Sequence, residues 1–133
     1  MNILLDTHYV LWSLLDPKKL QPHERDYFFN TDNTILVSVI SLWEISLKYQ
    51  LGKLTLKNIR PEDFPLAVAQ SGFTIVTMSE IEASSFYQLP KMVHHDPFDR
   101  MLVWQAIQNR WFFLSKDKAI KAYQDKGLRL LGV

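Results

Sequence analysis

Cysteine is absent from this 133-residue chain, which excludes a disulfide framework and every thiolate metal site. No apolar run approaches the roughly 18 residues of a membrane-spanning helix, and the opening MNILLDTHYV lacks the basic start of a secretory signal. A surplus of either charge is also missing, since 15 lysines and arginines face 14 acids for a net charge of +1. A polyanion would therefore be held by a local patch rather than by the field of the whole molecule. Repeats, low-complexity tracts and linkers are lacking too. At 47% hydrophobic and 22% charged residues, disordered and fibrous classes drop out. The expectation is one cytoplasmic domain over residues 1–133, with no membrane association.

What is present alternates. Short apolar runs that read as strands (NILL at 2–5, 33–39, 73–78, 111–115 and a last one in LRLLGV) are separated by helical patterns. The helices run through YVLWSLL, SLWEISLKYQLG (closed by Gly52), EDFPLAVAQSG (ending near Gly72), SEIEASSFYQL, PFDRMLVWQAIQNR and KAIKAYQDKG (stopped by Gly127). In the strongest, Phe98, Leu102 and Ala106 overlap with Met101, Trp104 and Ile107 in stripes at i, i+3, i+4 spacing. Near-continuous apolar strands between helices imply a parallel sheet covered on both faces. Helices joining parallel strands begin at the carboxyl edge of the sheet, where open α/β sheets bind ligands.

Four acids fall at that edge. Asp6 ends the first strand, Glu44 lies in the first turn of the helix after the second, Asp99 opens the helix before the fourth, and Asp117 follows the fourth. Structural readings exist beside functional ones. SLWE fits a capping box of Ser41 and Glu44; DPFD fits Asp96 as cap, Pro97 at the first helical position and Asp99 near the positive helix end; Asp117 suits a cap for a helix from Lys118. Asp6 is harder to explain as a cap, because Thr7 meets that need. Taken together, like charges about 5 Å apart repel by about 3 kcal/mol per pair at an effective dielectric near 20. Such a cluster protonates or holds a cation. Oxygen ligation suits Mg²⁺ or Mn²⁺ rather than zinc, and phosphodiester hydrolysis follows naturally.

LLDTH, SVISLWEISLK, HHDPFDRMLVWQA and LSKD, in this order across nearly the whole chain, resemble the PIN domain in the form of the VapC toxins of type II toxin–antitoxin systems. The resemblance implies a three-layer α/β/α sandwich with a parallel five-stranded sheet ordered 3-2-1-4-5. It implies an Mg²⁺-dependent endoribonuclease, a homodimer, and a heteromeric complex with a small antitoxin whose tail enters the active-site groove. Asp6, Glu44, Asp99 and Asp117 match the four acidic positions, and Ser115 the hydroxyl residue that accompanies the fourth. Asp96 belongs to the HxDPFDR form and reads mainly as the helix cap. Thr7 either hydrogen-bonds a ligating carboxylate or begins the first helix.

Lys48, Lys53, Arg100, Lys116 and Lys118 are candidates for RNA phosphate contacts, Arg100 foremost, against the alternative of solvated surface. Lys48 alternatively pairs with Glu44 at i+4 spacing. Trp12, Trp43, Trp104 and Trp111 read as packing or dimer surface, and His8, His94 and His95 as neighbours of the acids. Two rival readings are a non-catalytic binding protein on the same fold and a receiver-like phosphoacceptor domain. The receiver-like reading wants an acid ending strand three, where the sequence has TMSE.

Overall fold

Period-two burial along the strands builds two cores, one on each face of a single sheet. The computed structural model describes residues 1–91 and 96–132. In chain order the elements are β1 (Asn2–Leu5), α1 (Thr7–Leu15), α2 (Pro22–Phe29), β2 (Thr34–Ser38), α3 (Val39–Gln50), α4 (Phe64–Gln70), β3 (Thr74–Val76), α5 (Glu80–Ser85), α6 (Pro97–Asn109), β4 (Phe112–Leu114) and β5 (Arg129–Leu131). Short 3-10 segments join them, and a longer 3-10 helix, Lys118–Lys126, links β4 to β5.

The strands pair in parallel in the order β3-β2-β1-β4-β5, the order implied by the resemblance. Leu4 stands between Leu36 and Phe113 in register. These three face a core completed by Leu102, Val103 and Ala106 of α6 and by Ile120 and Tyr123. Ile3, Leu5, Ile35, Val37 and Leu114 point the other way, onto Tyr9 and Val10 of α1 and onto Phe64 and Val68 of α4. Adjacent strand residues thus feed opposite cores, and helices cover both faces of the sheet. Among the described residues, no helix is long and apolar enough to cross a membrane.

Three details depart from the sequence reading. Helix α2 is an addition, opened by Pro22 and closed on itself by a Gln21–Glu24 capping box. The segment after β4 winds as a 3-10 helix rather than an α-helix, with Ile120 N–H bonded to Asp117 O and Gly127 N–H to Gln124 O. Helix α3 starts at Val39, because Ser38 at the end of β2 already serves as its cap.

Candidate metal centre

Where β1 ends, the Asp6 N–H extends the ladder to Leu114 O at 3.0 Å. Its side chain caps α1, Oδ1 accepting the Tyr9 N–H at 3.0 Å. Asp6 therefore fills the capping role that the sequence reading gave to Thr7. Thr7 is left to reach sideways: its hydroxyl hydrogen-bonds Glu44 Oε1 at 2.6 Å and shares a 3.0 Å hydrogen bond with Ser41. Burial pushes the Asp6 carboxyl above its ordinary value. The Tyr9 N–H, the Ser115 hydroxyl and His8 pull it back, and the Glu44 charge adds to the rise.

Across the edge, the expected Ser41–Glu44 capping box does not form. Ser38 accepts the Ile40 N–H at 3.0 Å and starts the helix three residues earlier, so Glu44 sits in its second turn. There it is buried, with Thr7 on one oxygen and Lys48 on the other. Burial alone would lower the Lys48 ammonium. The Glu44 hydrogen bond and charge outweigh that, Asp96 and Asp99 add to them, and Lys48 stays above its usual value.

Helix α6 brings the next two acids. Asp96 Oδ1 accepts the N–H groups of Phe98 at 2.8 Å and Asp99 at 3.1 Å, and Pro97 opens the helix. Asp96 is the helix cap that the sequence reading made it, and its carboxylate also lies close to two other acids. One carboxylate oxygen from each of Glu44, Asp96 and Asp99 lies within 4.8 Å of the others. Asp117 caps the 3-10 helix by accepting the Ala119 N–H at 2.9 Å, while its own N–H donates to Ser115 Oγ at 3.1 Å. Asp6, Asp99 and Asp117 line one cavity of about 290 Å³ with Tyr9, Trp12 and Lys116. Asp99 belongs to both groups. Of the four acids expected together, Glu44 and Asp99 stand in the close triad, while among the described residues Asp6 and Asp117 share only the cavity with Asp99. The donors of the close triad are carboxylate oxygens throughout, a set that fits a hard divalent ion such as Mg²⁺ or Mn²⁺ better than zinc.

The cations divide. Lys116 lines the cavity, its Nζ 3.5 Å from Glu24 Oε1 and 5.5 Å from the Trp12 ring centre. Glu24 is fully buried and also accepts from the Tyr9 hydroxyl and from the Gln21 N–H at 2.8 Å. Burial, reinforced by Glu24, pushes the Tyr9 phenol up, so it stays a donor. Sequence reasoning missed Glu24 and Tyr9, although Gln21-Pro22 three residues before Glu24 is a legible helix start.

Arg100, the favoured phosphate contact, points elsewhere: it donates to Leu89 O at 3.1 Å and lies over the Phe86 ring. Lys53 and Lys118 are exposed. Trp104 is buried, whereas Trp12, read as packing or dimer surface, is half-buried in the cavity wall. His8 is exposed at the cavity rim; His94 and His95 lie outside the described residues.

No curated protein matches this sequence. Solved structures do resemble it. VapBC2 from Rickettsia felis, bound to a DNA fragment from its promoter, is similar with a TM-score of 0.68 at 18% identity, over 98% of each chain. DNA-bound VapBC from Salmonella typhimurium is similar with a TM-score of 0.64 at 19% identity, over 98% of this chain and 97% of that one. FitAcB from Neisseria gonorrhoeae is similar with a TM-score of 0.62 at 20% identity, over 98% and 96%. At these identities the likeness is one of fold. The PIN domain family matches residues 3–126, nearly the full length, and the chain belongs to that family.

Proposed function

We propose that this chain is a metal-dependent endoribonuclease, the toxin of a VapC-type toxin–antitoxin pair, cleaving RNA phosphodiester bonds at its carboxylate cluster. The observation that carries this reading is the gathering of Glu44, Asp96 and Asp99 oxygens within 4.8 Å, beside a cavity that Asp99 shares with Asp6 and Asp117. Acids so close call for a cation, and Lys116 in the cavity wall suits a phosphate.

In this reading Asp6 and Asp99 would hold the principal Mg²⁺ or Mn²⁺ ion. Glu44 and Asp117 would support that ion through water or hold a second one, with Asp96 beside Glu44. A divalent ion bound there supplies Lewis acidity toward phosphate oxygens and makes a coordinated water more acidic. The protein's own part is orientation. The Tyr9 N–H and the Ser115 hydroxyl aim Asp6, and Thr7 aims Glu44. Asp96 fixes where α6 begins and so where Asp99 stands. Lys116 offsets phosphate charge at the cavity. The resemblance to the VapBC structures supports a small antitoxin as partner in a heteromeric complex; a homodimer of this chain and a cytoplasmic location belong to the same proposal.

Asp6→Asn tests the reading. Asparagine keeps the size and the acceptor for Tyr9 N–H while removing a charge that burial disfavours, so the fold persists with an unchanged or higher melting temperature. RNA cleavage, followed by mapping new RNA ends, falls at least about a hundredfold, as expected when a metal-site carboxylate is lost. Cleavage by the variant at the unaltered rate would sink the assignment.

A further inference from the structure

Lys48 lies one turn beyond Glu44 on α3, and its ammonium bonds Glu44 Oε2. Glu44 is one of the three acids whose oxygens gather within 4.8 Å, and its other oxygen is held by Thr7 at 2.6 Å. Both oxygens are therefore engaged. A divalent ion and an ammonium seek the same negative oxygens, and as like charges they repel at this range. The two side chains differ in freedom. Lys48 is 39% exposed and Glu44 4%, so the lysine has a path to solvent on its flexible stem and the glutamate has none.

We propose that Lys48 is a built-in counter-cation that competes with the divalent ion for Glu44 and is released toward an RNA phosphate when that ion binds. The inference rests on the metal-dependent reading above. It has a second consequence. An RNA phosphate that takes up the ammonium removes a competitor from Glu44, so RNA and metal strengthen each other's binding, and linkage makes the effect reciprocal. Lys48 thus ties metal loading to the presence of substrate.

Calorimetric titration of the full chain with Mn²⁺ alone tests the competition without reference to activity. Lys48→Met keeps the aliphatic stem and removes the charge, and it binds Mn²⁺ about tenfold tighter than the unaltered chain, a difference that salt reduces. Lys48→Arg keeps the charge and stays near the unaltered affinity. Should the methionine variant fail to fold, Lys48→Gln carries the same expectation. Mn²⁺ affinity that is equal or weaker in the neutral variant overturns the inference and leaves the metal reading standing. If the unaltered chain takes up no Mn²⁺ at all, both fall.

Discussion

Two buried glutamates, Glu24 and Glu44, have nearly the same partners and different surroundings. Each takes a hydroxyl and a lysine: Tyr9 and Lys116 for Glu24, Thr7 and Lys48 for Glu44. Glu24 takes a backbone N–H as well, from Gln21, and its lysine lies over aromatic rings. Its charge is met by its donors. Glu44 also has oxygens of Asp96 and Asp99 within 4.8 Å, and like charges at that range repel. The same chemical grouping stands against aromatic rings in one place and beside two further acids in the other. Carboxylates gathered at that range are the arrangement proposed above to hold a divalent ion.

Substitution at the two positions separates these roles. Glu24→Ala strands the buried Tyr9 hydroxyl and opens a cavity beneath Lys116, and it lowers stability by about 3 kcal/mol. Glu44→Gln removes one of three mutually repelling charges while keeping an acceptor for Thr7. Its stability without added metal stays within about 1 kcal/mol of the unaltered chain, or rises, and its Mn²⁺ affinity drops. Urea unfolding measures both. Equal losses at the two sites would break the comparison, because Glu44 would then be structural in the way Glu24 is.

Gly132 sharpens the same contrast on the strand side of the site. Its φ is +92°, and a Cβ there would stand 2.8 Å from the Ser115 carbonyl and 3.4 Å from the Tyr9 hydroxyl. Gly132→Ala therefore costs about 2 kcal/mol in strain. It also displaces Ser115, whose hydroxyl serves both Asp6 and the Asp117 N–H. Thermal unfolding with and without Mn²⁺ reads both consequences. A variant that is destabilised yet binds Mn²⁺ unchanged would confine Gly132 to the fold and detach Ser115 from the proposed metal centre.

The parts of the molecule legible in sequence are those set by local rules. Strands announce themselves by unbroken apolar runs, and Asp96-Pro97 marks the start of α6 by capping chemistry. The sheet order came from the family resemblance rather than from periodicity. Misreadings arose where a local rule had two solutions or where contacts come from afar. Ser38 and Ser41 both suit a helix cap, and the strand pairing of Ser38 with Val76 decides between them by carrying β2 to the helix start. Arg100 follows Asp99 in sequence, but neighbours on a helix point about 100° apart, which sends Arg100 to Leu89 while Asp99 faces the acids. Glu24 is buried by Tyr9 and Lys116 from opposite ends of the chain, and α2, PHERDYFF, carries too little apolar pattern to reveal its inner face.

The smallest expected effect concerns pH, and it sets Asp6 against the paired glutamates. Burial raises the Asp6 carboxyl above its ordinary 3.8, against the pull of Tyr9 N–H, Ser115 and His8. A carboxyl raised on folding binds its proton more tightly folded than unfolded. Its contribution therefore weakens stability as pH climbs from 3.8 to the raised value, and the penalty is complete above that value and absent below 3.8. Metal binding needs the ionised form, so Mn²⁺ affinity climbs through the same window. Other acids titrate there too, and the difference between the unaltered chain and Asp6→Asn isolates the Asp6 part. Urea midpoints for the two, measured from about pH 4 to about pH 7 without metal, diverge in favour of the variant as pH rises. A difference that stays flat would mean that Asp6 ionises as freely in the fold as outside it. Its seat at the end of β1 would then impose no charge cost for a divalent ion to relieve.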